Sequence, residues 1–431
     1  MKRILLIALA TSSLFAGART WTLDECIAYA IDHNIDVLSR RVSVTEAELS
    51  VTEAKDRFLP QVSAYGSQSF NFGRGLTADN TYANRNTSSF AAGANLSLPI
   101  FQGLRAVRQL AYSRTALRAQ LEQVEVAKND VVLNVLSQYL QSLYASEMLE
   151  VARVNLALSQ AELERRQAML DAGRLPGLDI HEARAQVAQD ELTVTNAVND
   201  SILARLDLAQ LLNLDSADDF EIAPLAQEPS LLPLPGDVFA NALQNNHSMR
   251  AGRLQLEAAD RNVSLAKAGY LPTLSFSAGL GTNYYKTSGY DNEGFGAQMR
   301  HNFAKSLGLS LSIPIFDAFS TRNSVRRAQA QQESLRLQLD DSRNRLYKAI
   351  VQAHTQAIGA IKKQESADIA VESSRAAYEA MRVKYDNGRA NATELQQAQS
   401  NYINAEAQAV QAKYERILRA RILDFYNRTS I

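Results

Sequence analysis

The chain has 431 residues, and its 45 Lys and Arg against 46 Asp and Glu give a formal net charge of −1, which argues against a nucleic-acid-binding protein. A single cysteine excludes an internal disulfide framework and a zinc site built from clustered cysteines. Only 9 prolines and 19 glycines argue against an all-β or a disordered chain.

The first 18 residues have the pattern of a secretory signal peptide. Lys2 and Arg3 precede an apolar run over residues 4–10, and Ala16-Gly17-Ala18 supplies the small residues of a cleavage site. We therefore expect residues 1–18 to be removed and the rest of the chain to be exported.

The remaining chain contains the same sequence unit twice. Residues 34–60 align without gaps on residues 246–272. Three short motifs also recur at a nearly constant offset: Leu59-Pro60 with Leu271-Pro272, Pro99-Ile100-Phe101 with Pro314-Ile315-Phe316, and Gly173-Arg174 with Gly388-Arg389. This duplication predicts two structural repeats, residues 19–213 and 236–431, joined by a proline-rich linker over residues 214–235.

Each repeat is predicted to begin with two short helices. Thr22-Leu23-Asp24-Glu25 has the sequence of a capping box, in which two side chains satisfy free amide groups at a helix start. A second helix is expected over residues 36–57, and its counterpart over residues 248–268. Each of the two is expected to end before its Leu-Pro pair.

The next segments alternate between apolar and polar residues, which predicts strands with one dry face and one wet face. The strands are expected at about residues 61–72, 90–100, 273–284 and 303–315. The clearest alternation comes from five residues of the last strand: Leu307, Leu309, Leu311, Ile313 and Ile315. Each strand has about the length that crosses a tilted bilayer. The connections over residues 73–89 and 286–302 are polar and are expected to be surface loops.

Four strands of this kind cannot close a barrel within one chain. An open edge in hydrocarbon leaves amide groups unpaired, and each costs several kcal/mol. Other copies of the chain are therefore expected to complete the sheet, two copies giving eight strands and three giving twelve. A twelve-stranded cylinder leaves an open lumen more easily than an eight-stranded one.

Each strand pair is followed by a long proline-free stretch with apolar residues at helical spacing. The stretches cover residues 102–175 and 319–385, enough for rods of roughly 100 Å at about 1.5 Å per residue. A glycine ends each rod and a return helix follows, which predicts helical hairpins over residues 102–213 and 317–427. Such lengths are typical of coiled coils or helical tubes.

The order of these elements resembles the TolC-like outer-membrane efflux proteins, over the whole mature chain. The likeness is carried by the duplicated Leu-Pro pairs, the duplicated Pro-Ile-Phe motifs and the glycine-marked hairpins. It implies a mostly α chain with a small β part, forming a homotrimer with a shared twelve-stranded outer-membrane β-barrel and a long α-helical periplasmic tunnel. It also implies contact with outer-membrane lipid, and a periplasmic adaptor and an inner-membrane pump as partners.

The resemblance further implies a constriction near the hairpin tips, formed by a ring of acidic side chains and held closed by links between coiled coils. Glu394 falls at the first ring position, whereas Gln397 occupies the second, so the ring would carry half the charge. Tyr385 matches the linking tyrosine of the family, and Asp179 matches its acidic partner. Arg389 lies one residue before the position of the linking arginine.

These residues also have purely structural interpretations. Asn391 and Glu394 have the spacing of a helix capping pair. Asp179 and Glu182, both candidates for the periplasmic constriction, lie in the first turns of a predicted helix, where the helix dipole favours acids. Four residues at the tips are expected to contact the adaptor: Gly173, Arg174, Gly388 and Arg389. An exposed arginine after a glycine is alternatively a solvated loop residue.

Other functions explain less of the sequence. The five histidines are scattered, and no nucleophile or nucleotide-binding motif joins a strand to a helix, so no catalytic residue, metal ligand or cofactor is predicted. A periplasmic coiled-coil adaptor or structural protein would explain the helices but not the strands. The outer-membrane duct of a type I protein secretion system would have the same architecture, so the cargo stays open.

Overall fold

A computed structural model describes most of the chain, over residues 19–76, 80–173, 178–214, 220–225 and 232–428. The expected signal peptide, residues 1–18, lies outside this part, and so does Arg174 at the first hairpin tip. The described residues are mostly helical with a small β part, as the sequence predicts.

The first repeat consists of two helices, a strand pair and a long helical hairpin. Its elements are β1 (Arg19–Trp21), α1 (Leu23–His33), α2 (Ile35–Asp56), β2 (Gln61–Asn71), β3 (Arg74–Leu76), β4 (Tyr82–Asn84), β5 (Thr87–Gln102), α3 (Arg105–Asp171) and α4 (Leu178–Leu211). The predicted capping box is present at the start of α1. The Glu25 amide donates to Thr22 Oγ1 at 3.3 Å, and the Thr22 amide donates to Glu25 Oε2 at 2.9 Å.

A short strand, β6 (Phe220–Ile222), precedes the second repeat. The second repeat has the same order of main elements as the first: α5 (Pro235–Asn245), α6 (His247–Ala266), β7 (Thr273–Thr287), α7 (Phe295–His301), β8 (Ala304–Ser312), α8 (Ser320–Asp386) and α9 (Ala392–Arg428). The helices α3 and α8 have 67 residues each, which corresponds to about 100 Å at about 1.5 Å per residue.

Both long helices begin three residues later than the hairpins predicted from residues 102 and 317. The cause is a pair of left-handed residues before each helix. Gly103 and Leu104 have φ values of 60° and 61°, and Ala318 and Phe319 have 51° and 62°. A right-handed helix cannot continue through such residues, so each helix starts after them.

The four long strands form an open antiparallel sheet in the order β2-β5-β7-β8. Val62 pairs with Leu96, Leu96 with Ala278, and Ala278 with Leu307. Since residues paired across antiparallel strands point to the same side, the apolar residues of all four strands share one face. The alternation in the sequence predicts this arrangement, and we call this surface the apolar face.

The last strand is shorter than predicted. β8 ends at Ser312 and leaves Ile313 and Ile315 outside the ladder. Its partner β7 begins only at Thr273, and Pro314 has no amide hydrogen with which to continue the pairing. The Pro-Ile-Phe motif of the second repeat is therefore part of the link to α8.

The equivalent motif of the first repeat remains inside a strand but interrupts the regular pairing. A bulge between Pro99 and Phe101 removes Ile100 from the ladder and places Phe101 opposite Leu274. At the other end, β5 and β7 extend beyond their predicted limits, to Thr87 and Thr287 respectively.

Both connections expected to be loops contain regular structure. The antiparallel pair β3 and β4 lies in the first connection, and α7 lies in the second. Neither is predicted from the sequence, because both elements are short and neither has a clear periodic pattern.

The chain divides into two compact units. The helical unit lies within residues 1–41, 123–249 and 342–431, and the sheet unit comprises residues 42–122 and 250–341. The core of the helical unit includes the fully buried Cys26, Leu136 and Tyr139.

Candidate functional site at the hairpin tips

Both outgoing helices end at a glycine with left-handed backbone. Gly173 has a φ of 69° and Gly388 a φ of 68°. The Gly388 amide donates to the Tyr385 carbonyl at 3.0 Å, and the Gly173 amide donates to the Leu170 carbonyl at 2.8 Å. These are the hydrogen bonds of a glycine C-cap, and they stop α3 and α8 at fixed points near the tips.

Tyr385, in the last turn of α8, is the centre of a packed cluster. Its side chain is only 8% exposed. The guanidinium carbons of Arg165 and Arg166 lie 5.4 and 5.7 Å from the centroid of its ring. Its buried hydroxyl has no hydrogen-bond partner among the described residues. Burial raises the pKa of Tyr385, while the charge of Arg166 opposes that shift.

The two arginines connect α3 with α4 and with the end of α8. Arg166 Nε donates to Glu162 Oε1 at 3.0 Å, and its NH1 donates to the Asp179 carbonyl at 3.5 Å. Arg165 forms ion pairs with Glu162 and with Asp386. We call Glu162, Arg165, Arg166, Tyr385 and Asp386 the tip cluster.

The structure places Asp179 close enough to the tip cluster to affect it electrostatically. The charge of its carboxylate contributes to the raised pKa of Tyr385, although no hydrogen bond joins the two side chains. Two residues matched by the resemblance thus lie close together. The two arginines were not predicted from the sequence, although Glu162 with Arg165 and Arg166 has the spacing of ion pairs along a helix.

Glu394 takes part in capping the start of its own helix, α9. The Glu394 amide donates to Asn391 Oδ1 at 2.8 Å, and the Asn391 amide donates to Glu394 Oε2 at 2.9 Å. This is the capping pair of the structural interpretation, and it leaves the side chain exposed. Gln397 is also exposed and donates to Asn401 Oδ1 at 3.0 Å.

The remaining tip residues are at the surface. Glu182 is exposed on α4, and the side chain of Arg389 is exposed after α8. The Arg389 amide donates to the Lys384 carbonyl at 2.8 Å, which completes the Schellman motif after Gly388.

A buried polar network further along the same helices was missed by the sequence analysis. Asp190 is 4% exposed and accepts hydrogen bonds from Asn155 Nδ2 at 2.9 Å, Gln186 Nε2 at 3.0 Å and Ser159 Oγ. Gln399 of α9 donates to Asn155 Oδ1 at 3.4 Å. The network therefore joins α3, α4 and α9 around one carboxylate.

A second link joins α3 to α9. Glu147 accepts from Lys413 Nζ at 2.9 and 3.0 Å and from the Tyr414 hydroxyl at 2.6 Å. Burial, followed by this hydrogen bond and the carboxylate charge, raises the pKa of Tyr414.

In the part of the chain that the structure describes, no group of three or more His, Cys, Asp or Glu side chains is arranged to hold a metal ion. None of the described helices combines the length and the apolar character needed to cross a membrane.

Comparisons with known proteins agree with this architecture. The family model described as "Outer membrane efflux protein" matches residues 27–214 and 238–424. Outer membrane protein TolC of Vibrio cholerae is 24% identical over 97% of this chain and 93% of its own length. Outer membrane efflux protein BepC of Brucella suis is 22% identical over 93% of this chain and 83% of its own. The Campylobacter jejuni CmeC outer membrane channel has a TM-score of 0.79 at 16% identity, covering 94% of this chain and 85% of that one.

Proposed function

This chain belongs to the outer membrane efflux protein family, and we propose that it is the outer-membrane exit duct of a tripartite efflux system. In this role it passes small molecules from a periplasmic adaptor and an inner-membrane pump to the cell exterior. The observation that carries the proposal is the sheet, whose apolar residues lie on one exposed face in a chain whose described residues are mostly helical. The pump supplies the energy, so the duct itself catalyses no reaction.

The exposure of the apolar face supports insertion in lipid. The side chains of Leu307 and Leu309 are 79% and 69% exposed in the single chain. An apolar surface of this kind is unfavourable in water and favourable in hydrocarbon. A soluble periplasmic adaptor offers no reason for it.

The sheet has two free edges, β2 and β8, which support assembly with further copies. Because neighbouring strands alternate in direction, the edge strands β2 and β8 run antiparallel to each other, so β8 of one copy can pair with β2 of the next. Three copies joined in this way give a closed twelve-stranded barrel with no edge left in the membrane. In that homotrimer the hairpins α3–α4 and α8–α9 form the wall of the periplasmic tunnel.

The tip cluster is proposed to hold the periplasmic end of the tunnel closed. Arg165 ion-pairs with Asp386 and so joins α3 to the end of α8 within one chain. Glu394 and Gln397 of neighbouring copies would line the constriction, a ring with one carboxylate per copy. Gly173, Gly388 and Arg389 are exposed, and together with Arg174, which lies outside the described residues, they are proposed to contact the adaptor.

Single-channel recording from the purified full chain in planar lipid bilayers tests the duct and its gate. We expect discrete conductance steps for the wild type and a larger conductance for Asp386→Ala, which removes the ion pair with Arg165. Glu394→Ala should weaken the preference for cations, whereas Glu372→Ala, an exposed acid elsewhere on α8, should not. A wild-type protein that forms no channels refutes the duct, and an unchanged preference in Glu394→Ala refutes the ring.

A further inference from the structure

An elongated cavity lies between α3, α4 and α9 in the helical unit. Its volume is about 670 Å³, within the usual range of small-molecule sites of about 300–1,000 Å³. On α3 the lining runs from Gln138 to Asn155, a length of about 25 Å at about 1.5 Å per residue. Residues 193–207 of α4 and 403–407 of α9 contribute the other sides. The cavity is therefore large enough for a drug-sized molecule.

Part of the lining is apolar. It includes Met148 and Val151 of α3 and Ile403 of α9, with small alanine side chains beside them. The ring of Tyr144 also lines the cavity and packs edge-on against Tyr414, with 6.3 Å between the two ring centroids. An apolar lining that includes an aromatic ring favours the hydrocarbon part of a ligand.

The charged residues of the lining are acidic. Asp200 and Asp207 lie about two turns apart on the same side of α4. Among the described residues, no Lys, Arg or His lines the cavity. Asp207 accepts a hydrogen bond from the neutral side-chain amide of Gln138 at 3.5 Å, and neither aspartate forms an ion pair within the described part of the chain. The cavity therefore attracts positive charge.

The spacing of the two carboxylates favours an organic cation over a metal ion. Two turns of helix separate their positions by about 10 Å along the axis. A divalent metal ion binds oxygen ligands at about 2.0–2.6 Å, so one ion cannot join both carboxylates. A molecule with a cationic group and an apolar part matches one carboxylate and the apolar lining together.

The cavity lies on the side of α3 opposite the core of the helical unit. Tyr139 packs in that core, and its hydroxyl oxygen lies 3.1 Å from the Trp21 carbonyl oxygen of β1. Met148 follows about 2.5 turns later, which places it on the opposite side of the helix. In the proposed tunnel, α1, β1 and β6 lie outside the wall, because inside they would fill the lumen. The cavity then opens towards the lumen.

We propose that this cavity, which we call the wall cavity, is a transit site for amphipathic organic cations that pass along the tunnel. The inference rests on the proposed duct and names the class of cargo that its wall favours. Asp200 and Asp207 attract the cationic group, and Tyr144 supplies a ring that also favours cations. The apolar part of the ligand leaves water against Met148 and Val151.

Fluorescence titration of the purified full chain in nonionic detergent with ethidium, an aromatic cation, tests the wall cavity. The double variant Asp200→Asn and Asp207→Asn should bind ethidium at least about tenfold more weakly, because it removes both charges at nearly constant shape. Its residue 207 keeps an acceptor for Gln138, so the variant should fold. The matched control Asp340→Asn and Asp368→Asn removes two exposed aspartates of α8 and should bind as the wild type does.

Two further measurements separate the contribution of charge from that of shape. Ala197→Phe narrows the cavity without changing its charge and should also weaken ethidium binding. The aromatic anion anilinonaphthalene sulfonate should bind the wild type more weakly than ethidium does. The double asparagine variant should bind this anion at least as tightly as the wild type does.

Ethidium affinity that is unchanged in the double asparagine variant, or lowered equally in the control pair, would overturn the proposal. Channel formation is recorded separately in planar lipid bilayers, because the transit role depends on the duct. A wild type that forms channels but binds ethidium independently of the two aspartates refutes only the wall cavity. A wild type without channels refutes the duct itself.

Discussion

Arg165 of α3 lies over the ring of Tyr385 at the end of α8, with 5.4 Å between its guanidinium carbon and the ring centroid. The two residues belong to different repeats, so this contact fastens one helical hairpin to the other. The ring is buried, whereas its hydroxyl has no hydrogen-bond partner among the described residues. The ring and the hydroxyl are therefore expected to contribute differently to stability.

The ring of Tyr385, rather than its hydroxyl, is expected to stabilise the tips. Tyr385→Phe keeps the contact with both arginines and removes a buried polar group, so the melting temperature should stay equal or rise. Tyr385→Ala should cost about 3 kcal/mol because it leaves a cavity. Thermal unfolding in detergent distinguishes the two variants. An equal loss in both would mean that the hydroxyl has a partner in the assembled protein.

Asp190 is expected to hold three helices together. Asp190→Leu leaves the donors of Asn155, Gln186 and Ser159 without their acceptor, which should cost about 2 kcal/mol or more. Asp190→Asn keeps the shape and one acceptor and should cost less. Glu191→Gln, an exposed acid on the same helix, is the control. Denaturant unfolding measures the differences, and equal stability of the leucine variant would contradict the role.

Stability is expected to fall at alkaline pH because of Tyr414. Its pKa is raised above the ordinary value of 10.0 by burial and by its hydrogen bond to Glu147. As the pH rises through 10, the unfolded tyrosine loses its proton while the folded one keeps it, so unfolding becomes easier.

In Tyr414→Phe the melting temperature should therefore fall less steeply with rising pH above about 10. The exposed Tyr270→Phe controls for the loss of one hydroxyl. An unchanged slope in Tyr414→Phe would contradict the assignment.

Gly93 is expected to be essential for the sheet, and Gly66 is not. A Cβ atom at Gly93 would lie 2.6 Å from the Leu280 carbonyl oxygen and 2.9 Å from the Tyr65 hydroxyl oxygen, whereas one at Gly66 meets nothing within 4 Å. The carbonyl belongs to the paired strand and cannot move aside cheaply. Gly93→Ala should lower the yield of heat-resistant oligomer on electrophoresis, whereas Gly66→Ala should not. Equal yields from both variants would argue against this close packing.

Gln298 of α7 is expected to protect the edge of β7. Its side chain accepts from the Tyr285 amide at 3.0 Å and donates to the Tyr285 carbonyl at 3.0 Å. Gln298→Ala removes both hydrogen bonds, so hydrogen exchange at the Tyr285 amide should accelerate at least about tenfold. Gln298→Glu keeps an acceptor for that amide but has no donor for the carbonyl, and its exchange should be intermediate. Exchange unchanged in the alanine variant would show that another group protects this edge.

Local periodic signals in the sequence predict much of the fold. Alternation at Leu307, Leu309 and Leu311 predicts which side of β8 is apolar, because a strand repeats every two residues. The spacing of Thr22 to Glu25 predicts a capping box at the start of α1. Both patterns act within a few residues of chain, so no knowledge of the tertiary structure is needed.

Features that depend on tertiary contacts are missed. Leu104 and Phe319 have left-handed backbone although neither is glycine or asparagine, so no residue preference indicates it. The contact of Arg165 with Asp386 joins residues far apart in the chain, and no sequence period reports it. The sequence therefore predicts the turns of the candidate site, because glycines mark them. It does not predict the ion pairs between the helices of the site.

The central ladder of the sheet pairs β5 with β7, and it brings together Thr87 and Thr287, which are 200 positions apart in the chain. Synthesis of the first repeat alone thus yields only a two-stranded hairpin, which is marginally stable by itself. A polypeptide interrupted before its second half lacks β7 and β8, which are two of the four strands of this sheet.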